Sequence, residues 1–407
     1  MELKIQKLSI QGDGIAEGPI YIPFTLPDEV VEGEITGNRI ERAVIISPSP
    51  SRTAPPCTHF GVCGGCAMQH ASDDFVADWK ADIIRTALAA HGLSAHIRPT
   101  ITSPAQSRRR AKFTGRRTKK TIVIGFHGRA SETVMAVPNC RLLHPGIMAS
   151  FPAMEALTKI GASRKGSVSI AITWSDNGAD VAVENAKEVD GPLLAELGNL
   201  AENFKLARLT WNGETVVTRA RPSHAFGTAS VTPPPNAFLQ ATAAGHEALV
   251  ATVTEAVGDA KNIVDLFSGC GTFTLPLAKN AQVVAIEGDQ SLLSALDAAW
   301  RLAKGLKTVE TRKRDLFRNP LLAEELPFDA VIIDPPRAGA KAQCEAIAES
   351  SVPRIAFVSC NSVTFASDVK ILTDAGYKIE WVQPIDQFRW SAHVELVALL
   401  TRNSSSV

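Results

Sequence analysis

Residues 262–275 read NIVDLFSGCGTFTL. An apolar run ends on Asp265 and Phe267, and Gly269 and Gly271 then open a loop into a helical pattern. Further along the chain, six more strand candidates follow: QVVAIEGD (282–289), KTVETRKRD (307–315), FDAVIIDPP (328–336), RIAFVSCN (354–361), YKIEWVQPI (377–385) and HVELVALLTR (393–402). Helical stretches separate most of them. Continuous apolar strands alternating with helices predict a doubly wound, mostly parallel, seven-stranded sheet with both faces covered. Only DQFRWSA (386–392) separates the last two strands, too little for a crossover helix, so the final strand is expected to be antiparallel.

In open α/β sheets, ligands bind at the carboxyl ends of the strands. GCG does not match G-x-G-x-x-G, so a dinucleotide is not favoured. Glu287 ends the second strand, where an acid can hold a ribose diol. Asp315 follows the third strand, near the expected place of an adenine amino group. A glycine loop occurs in many folds, and an acid at a strand end is often a helix cap. In this order and spacing, however, the residues describe a class I S-adenosylmethionine (SAM) site in a Rossmann-like domain.

The fourth strand ends in IIDPPRAGAK, which leaves Asp334 at the strand tip beside two prolines that lack backbone donors. The fifth ends in FVSCNS, which puts Cys360 at an adjacent tip, followed by polar Asn361 and Ser362. A buried structural cysteine is the plainer reading, but it fits a strand interior better than a strand end. A thiol suits one chemistry well. C5 of uracil is a poor nucleophile; adding a thiolate to C6 makes C5 enolate-like, and a base must later remove the C5 proton so that the thiol can leave. Cys360 is the expected nucleophile and Glu395, in SAHVELVALL, the expected base. A free thiol of pKa about 8.5 is mostly protonated at neutral pH, so the site must stabilise the thiolate. Asp334 does not do so by charge and is assigned to binding the target base or orienting the cofactor.

The whole chain has 407 residues, enough for two or three domains, and 45% of them are hydrophobic. No apolar run reaches the roughly 18 to 20 residues of a membrane span. MELKIQKLSIQGDG has no apolar signal-like core, so a cytoplasmic protein is expected. There, the cysteine-rich stretch CTHFGVCGGC (57–66) points to metal binding or thiol chemistry over disulfides. Lys+Arg and Asp+Glu both total 42, yet residues 83–131 hold eleven basic and no acidic side chains. Eight of them, Arg108, Arg109, Arg110, Lys112, Arg116, Arg117, Lys119 and Lys120, lie in SRRRAKFTGRRTKK. The plain reading is a solvated basic loop; contact with RNA phosphates is favoured. Short β patterns broken by Gly and Pro over residues 1–50 suggest a small β-barrel, and SPSPSRTAPP (47–56) reads as a linker. ASDDFVADWKADIIRTALAAHG reads as a helix with Phe75, Trp79, Ile83 and Leu88 on one face.

CTHFGVCGGCAMQH, FLQAT, DLFSGCGTFTLPLA, IDPPRAG, VSCNSVTFASD and DQFRWSAHVE stand in this order along the chain. In that, the sequence resembles the RNA 5-methyluridine methyltransferase family over nearly its whole length. It is most similar to the branch that acts on 23S ribosomal RNA and carries both a TRAM domain and an iron–sulfur cluster. The resemblance implies a TRAM-like β-barrel at 1–52, an α+β cluster-binding domain at 53–235 whose helix at 71–91 is also a candidate for packing on the catalytic domain, and a SAM-dependent methyltransferase domain at 236–407. It implies a [4Fe–4S] cluster on Cys57, Cys63, Cys66 and Cys140; one C-x2-C pair with two distant cysteines also differs from the paired pattern of most zinc sites. It implies SAM contacts from Gln240, Phe267, Thr272, Glu287, Asp315 and Asp334, and catalysis by Cys360 and Glu395. RNA is the implied partner, with no membrane and a monomeric enzyme. Four features depart from the family pattern. Thr272 and Thr242 stand where Asn is usual, Asp315 where Asn is also seen, and FRWSAH replaces Phe-Pro-x-Thr.

Three alternatives remain. The tRNA branch lacks both the TRAM domain and the cluster. RNA 5-methylcytosine enzymes carry a second cysteine just after the fourth-strand proline, where this chain has Pro336 and Arg337, with Cys344 eight residues beyond Pro336. A non-catalytic iron–sulfur RNA-binding protein would not need the SAM residues together with Cys360 and Glu395.

Overall fold

The computed structural model describes residues 2–402; the terminal NSSSV, the one low-complexity stretch, lies outside the described residues. Asn262–Leu266, Gln282–Glu287, Val309–Lys313, Ala330–Ile333 and Arg354–Ser359 form parallel strands, with the first flanked by the second and the fourth. Glu395–Thr401 inserts antiparallel between Arg354–Ser359 and Lys378–Asp386, as the short connection requires. The sheet is one strand wider than expected. Ile101–Thr102, from far upstream, adds parallel to Lys378–Asp386 and makes eight strands.

Alternate residues of each strand serve opposite cores, the period-2 consequence of the pleat. Val264, Val331, Ile333, Ile355, Phe357 and Leu396 face one side, under the helices Lys341–Glu349 and Ser362–Asp374. Ile263, Ile332, Ala356, Val358 and Val397 face the other, against Ala243–Val257. Both sides are dry, so the strands need no polar alternation, and this is why they read as continuous apolar runs.

The helix after the cysteine cluster is Asp73–Ala89, capped by Ser72. Its Ile84 and Leu88 join the core under the catalytic sheet. The buried face is centred on Val76, Trp79, Ile84 and Leu88, with Phe75 and Ile83 half-buried at its border. The residue that breaks the apolar pattern is Lys80. It is fully buried, and its Nζ lies 2.6 Å from Asp386 Oδ1 at the end of the sixth strand.

The middle of the chain forms a seven-stranded sheet whose central strands are Ser167–Ser175 and Arg110–Arg117. The basic stretch is therefore largely a strand, where a loop was the plain expectation. Ala111, Phe113 and Gly115 point inward, and the charged residues alternate with them. The hairpin His224–Phe226 and Ala229–Val231 packs with Leu239 and Leu275 on the catalytic side, ahead of the expected boundary at 236. The N-terminal strands Glu2–Leu8, Gly14–Ala16, Ile20–Ile22, Val30–Glu32 and Val44–Ser47 form one antiparallel sheet. The Pro/Ser-rich segment after it is not a free linker. The Ser49 backbone N–H and the Arg52 guanidinium both bind the buried Glu29 carboxylate.

Removing one partner of a buried ion pair strands the other charge. Lys80→Met is therefore expected to cost about 3–5 kcal/mol in urea unfolding. Adding Asp386→Asn, which keeps the acceptor for the Phe388 N–H, is expected to recover part of that loss. Equal stability of Lys80→Met and the parent would contradict the pair's role.

Candidate active site

The antiparallel insertion fixes which side chains meet. Pairs run without a break from Arg354↔Thr401 to Ser359↔Leu396. One step further, the same register sets Cys360 opposite Glu395. Directly opposed residues share a face of the sheet, with Cα atoms about 4.5–5.5 Å apart. The two residues singled out for nucleophile and base are thus cross-strand neighbours.

Cys360 is half-buried. Burial raises its thiol, and the Glu395 and Asp334 carboxylates add to this, while the charge and a hydrogen bond of Arg337 oppose it. Arg337 is the cation whose charge opposes that rise, which the nearby carboxylates do not. Its signal was in the sequence, as the residue after Asp-Pro-Pro, though its aim was not. Asn361 Nδ2 donates to the Arg337 carbonyl at 3.0 Å and ties that loop to the fifth strand's exit. Arg337 Nη2 also lies 3.5 Å from both ring nitrogens of His393, so His393 borders the thiol site without bonding Glu395.

Glu395 is 3% exposed. Burial pushes its carboxyl up to about 7, against a hydrogen bond from Gln387 and the charge of Arg337. Burial also drives Asp334 well above the usual carboxylate range, reinforced by Glu395 and Asp265. Facing carboxyls in a dry pocket resist being ionised together. Gln387 was not found by sequence reading. Its Nε2 donates to Glu395 Oε2 at 2.9 Å and to Gln240 Oε1 at 2.5 Å.

The remaining SAM candidates lie along the same edge of the sheet. Phe267 and Gly269 both have positive φ, 63° and 56°, which bends the chain sharply after the first strand. Glu287 accepts from Gly269 N at 3.1 Å and Asp289 N at 2.9 Å, which locks the acid to the loop. Asp315 is exposed and accepts from Phe317 N at 3.0 Å. Phe317 brings its ring 5.5 Å from that of Phe267. Thr272 is half-buried within the loop. Thr242 caps the helix Ala243–Val257 by accepting from Gly245 N at 2.9 Å, a role Thr and Asn share. Asp265 is fully buried and pushed up to about 7 by its desolvation. Thr274 satisfies one of its oxygens, but among the described residues Oδ1 has no partner, nor has the Ser268 hydroxyl. Buried oxygens left without partners at a glycine loop suit a ligand rich in donors. SAM, with its ammonium and ribose hydroxyls, fits this donor need.

Cys57, Cys63, Cys66 and Cys140 line one small cavity, together with groups that include Phe60 and Phe126. All four are half-buried free thiols. Burial raises Cys66 to about 12 and raises Cys63 and Cys140 as well. Among the described residues, no group of three or more His, Cys, Asp or Glu side chains is arranged to hold a metal ion. None of the described cysteines forms a disulfide.

The basic cluster divides. Arg108 and Arg109 are half-buried joints between the middle sheet and the catalytic part, for Arg109 N donates to Ala241 O at 2.8 Å. Arg110 stacks on the exposed ring of Phe238, 5.4 Å from its centroid. Arg117 Nη1 donates to Lys159 O at 2.7 Å. Lys112 faces Glu184 at 3.6 Å. Arg116, Lys119 and Lys120 remain exposed with no ion pair among the described residues.

A base must be ionised to accept a proton. With a carboxyl near 7, Glu395 is mostly protonated at pH 6 and mostly ionised at pH 8. If proton removal limits turnover, single-turnover product formation is expected to rise about tenfold over that range. A flat profile would contradict a buried base at Glu395.

The tRNA (Uracil-5-)-methyltransferase family profile matches residues 231–403. An uncharacterised RNA methyltransferase of Rhizobium meliloti (strain 1021) is 42% identical over 98% of both chains. The 23S rRNA (uracil(1939)-C(5))-methyltransferase RlmD of Halomonas elongata is 29% identical, covering 100% of this chain and 90% of that one. The Pyrococcus abyssi tRNA (uracil-54, C5)-methyltransferase, solved with S-adenosyl-L-homocysteine, superposes with a TM-score of 0.77 at 23% identity, covering 98% of this chain and 99% of that one. No described helix is long and apolar enough to cross a membrane.

Proposed function

The chain belongs to the RNA (uracil-5)-methyltransferase family, and on that premise we propose that it methylates a uridine of 23S ribosomal RNA through a covalent adduct on Cys360. The observation that carries the mechanism is the register that sets Cys360 opposite Glu395 with Arg337 beside the thiol. Arg337 favours the thiolate, which adds to C6 of uracil and leaves C5 enolate-like. SAM, when bound, supplies the electrophilic methyl group that C5 takes. Glu395 then removes the C5 proton, the S–C6 bond breaks, and the thiolate leaves with the bonding electrons. Glu287 is suited to the ribose hydroxyls, Phe267 to the adenine face, and Asp265, Ser268 and Gln240 to the polar end of SAM. Thr272, Asp315 and Asp334 complete the proposed set, with Asp334 placed between cofactor and target base.

The 23S target rests on full-length similarity to the Halomonas elongata enzyme, together with the N-terminal sheet as a TRAM-like RNA-binding module. The exposed Arg116, Lys119 and Lys120, with Lys112 and Arg110, offer a phosphate-binding face on the middle sheet. The four cysteines are proposed to hold a [4Fe–4S] cluster. A cubane cluster takes one thiolate on each iron, so its ligands need not converge on a point. Four thiols around one apolar cavity suit this, and a cavity whose lining does not include Cys360 suits a structural role. Iron and acid-labile sulfide are expected in anaerobically purified protein and expected to fall sharply in Cys140→Ala. Zinc without iron would overturn the cluster.

The function is tested by nucleoside mass spectrometry of unmodified 23S and tRNA transcripts incubated with SAM and the enzyme. 5-Methyluridine is expected in the 23S transcript and is expected to vanish with Cys360→Ala. Product in tRNA alone would reject the 23S target, and product from Cys360→Ala would reject the nucleophile.

A further inference from the structure

Gln387 is 1% exposed and lies in the connection between the sixth and final strands. All its polar contacts are within the site. Its Oε1 accepts from the Ala241 backbone N–H at 2.7 Å. Its Nε2 donates to Gln240 Oε1 at 2.5 Å and to Glu395 Oε2 at 2.9 Å. The orientation of an amide is ordinarily ambiguous, but here one partner cannot change character. A backbone N–H only donates, so Oε1 must face Ala241 and Nε2 must face the other two groups. It follows that Gln240 turns its own carbonyl toward Gln387 and its NH2 group away from it.

We propose that Gln387 is a positioning residue that orients Glu395 for C5 proton removal and fixes the direction of the Gln240 amide at the cofactor edge. This rests on the reading of Glu395 as the base. The donated hydrogen bond takes one lone pair of Oε2 and leaves the other carboxylate oxygen to receive the proton. It also favours the ionised form, opposing the dry surroundings. Three other titratable or charged groups bear on Glu395: Asp334 and Cys360, each coupled to it by charge, and Arg337, whose positive charge favours ionisation. None of them is a hydrogen-bond donor to Glu395 among the described contacts. Gln387 is therefore the one neutral group placed to hold the carboxylate in a set direction.

The consequence is specific to one half of the reaction. Thiolate addition and methyl transfer do not call on Glu395; breakdown of the methylated adduct does. Gln387→Met keeps the length of the side chain and removes both donors. It is expected to accumulate a covalent enzyme–RNA species on denaturing gels. Adduct breakdown is expected to be about fivefold slower at pH 7, with its pH midpoint moved up by about one unit, the usual scale for losing a bond to a charged group. Gln387→Glu, which can still accept from Ala241 N–H but sets a second carboxyl against Glu395, is expected to move the midpoint up further. Far-UV circular dichroism and urea unfolding confirm in the same samples that each variant is folded, and calorimetric SAM affinity reads whether the Gln240 amide has lost its direction.

Glu395→Gln separates the two claims. If it accumulates adduct while folded Gln387→Met and Gln387→Glu retain the parent's breakdown rate and pH midpoint, the role of Gln387 is overturned alone. If Glu395→Gln itself accumulates none, the base assignment fails with it. Equal slowing of adduct formation and breakdown with an unmoved midpoint, or unfolding of both Gln387 variants, would show a purely structural residue and also overturn the proposal.

Discussion

The pairing of Glu395–Thr401 against Arg354–Ser359 is the constraint on which the rest depends. A sheet that was parallel throughout would carry every strand end to one edge but would set none of them face to face. Reversing the last strand puts its first residue opposite the residue that leaves the fifth. A one-residue slip would send Glu395 to the other face of the sheet. The buried alternation of Leu396, Ala398 and Leu400 with Val397 and Leu399 makes such a slip costly, since each set belongs to a different core. Hydrophobic packing thus sets the geometry of the acid–thiol pair.

The connection that precedes Glu395 needs its own restraint, and parts distant in sequence supply it. Lys80 and Asp386 meet in a buried ion pair, Arg389 reaches Asp73 at the start of the same helix, and Trp390 O accepts from Ala67 N and Met68 N just beyond the cysteine stretch. Trp390 takes φ 61°, a left-handed value that a bulky residue adopts only when its surroundings hold it there. The cysteine segment and its following helix therefore act as a brace for the loop that carries Gln387. A structural role for the proposed cluster needs no more than this: what orders residues 57–71 also orders the approach to the base.

Much of this was legible in the sequence because the chemistry sits at strand ends. Cys360, Glu287 and Asp334 each follow an apolar run and so could be placed at the carboxyl edge, and the seven-residue DQFRWSA connection forced the antiparallel final strand. What escaped depended on contacts between distant segments. Lys80 interrupts an apolar helix face and reads as solvated until Asp386 is set against it. Ile101–Thr102 is too short to show any periodicity. The Arg110–Arg117 strand hides its inward Ala111, Phe113 and Gly115 among charges. Gln387 is one polar residue in a loop, and only the fold shows that its amide joins Gln240 to Glu395. Asp265 looked like a strand-end marker, and its unpartnered oxygen appears only once the loop closes over it.

The most direct test of the central pair uses target RNA carrying 5-fluorouridine at the methylated position. Fluorine at C5 cannot be removed as a proton, so the adduct that forms cannot eliminate. Peptide mapping by mass spectrometry after incubation with SAM is expected to find a methylated nucleotide bonded to the peptide containing Cys360. An adduct on Cys344 or Cys270, or no adduct from an enzyme that methylates ordinary uridine, would contradict the assignment of Cys360 as the nucleophile.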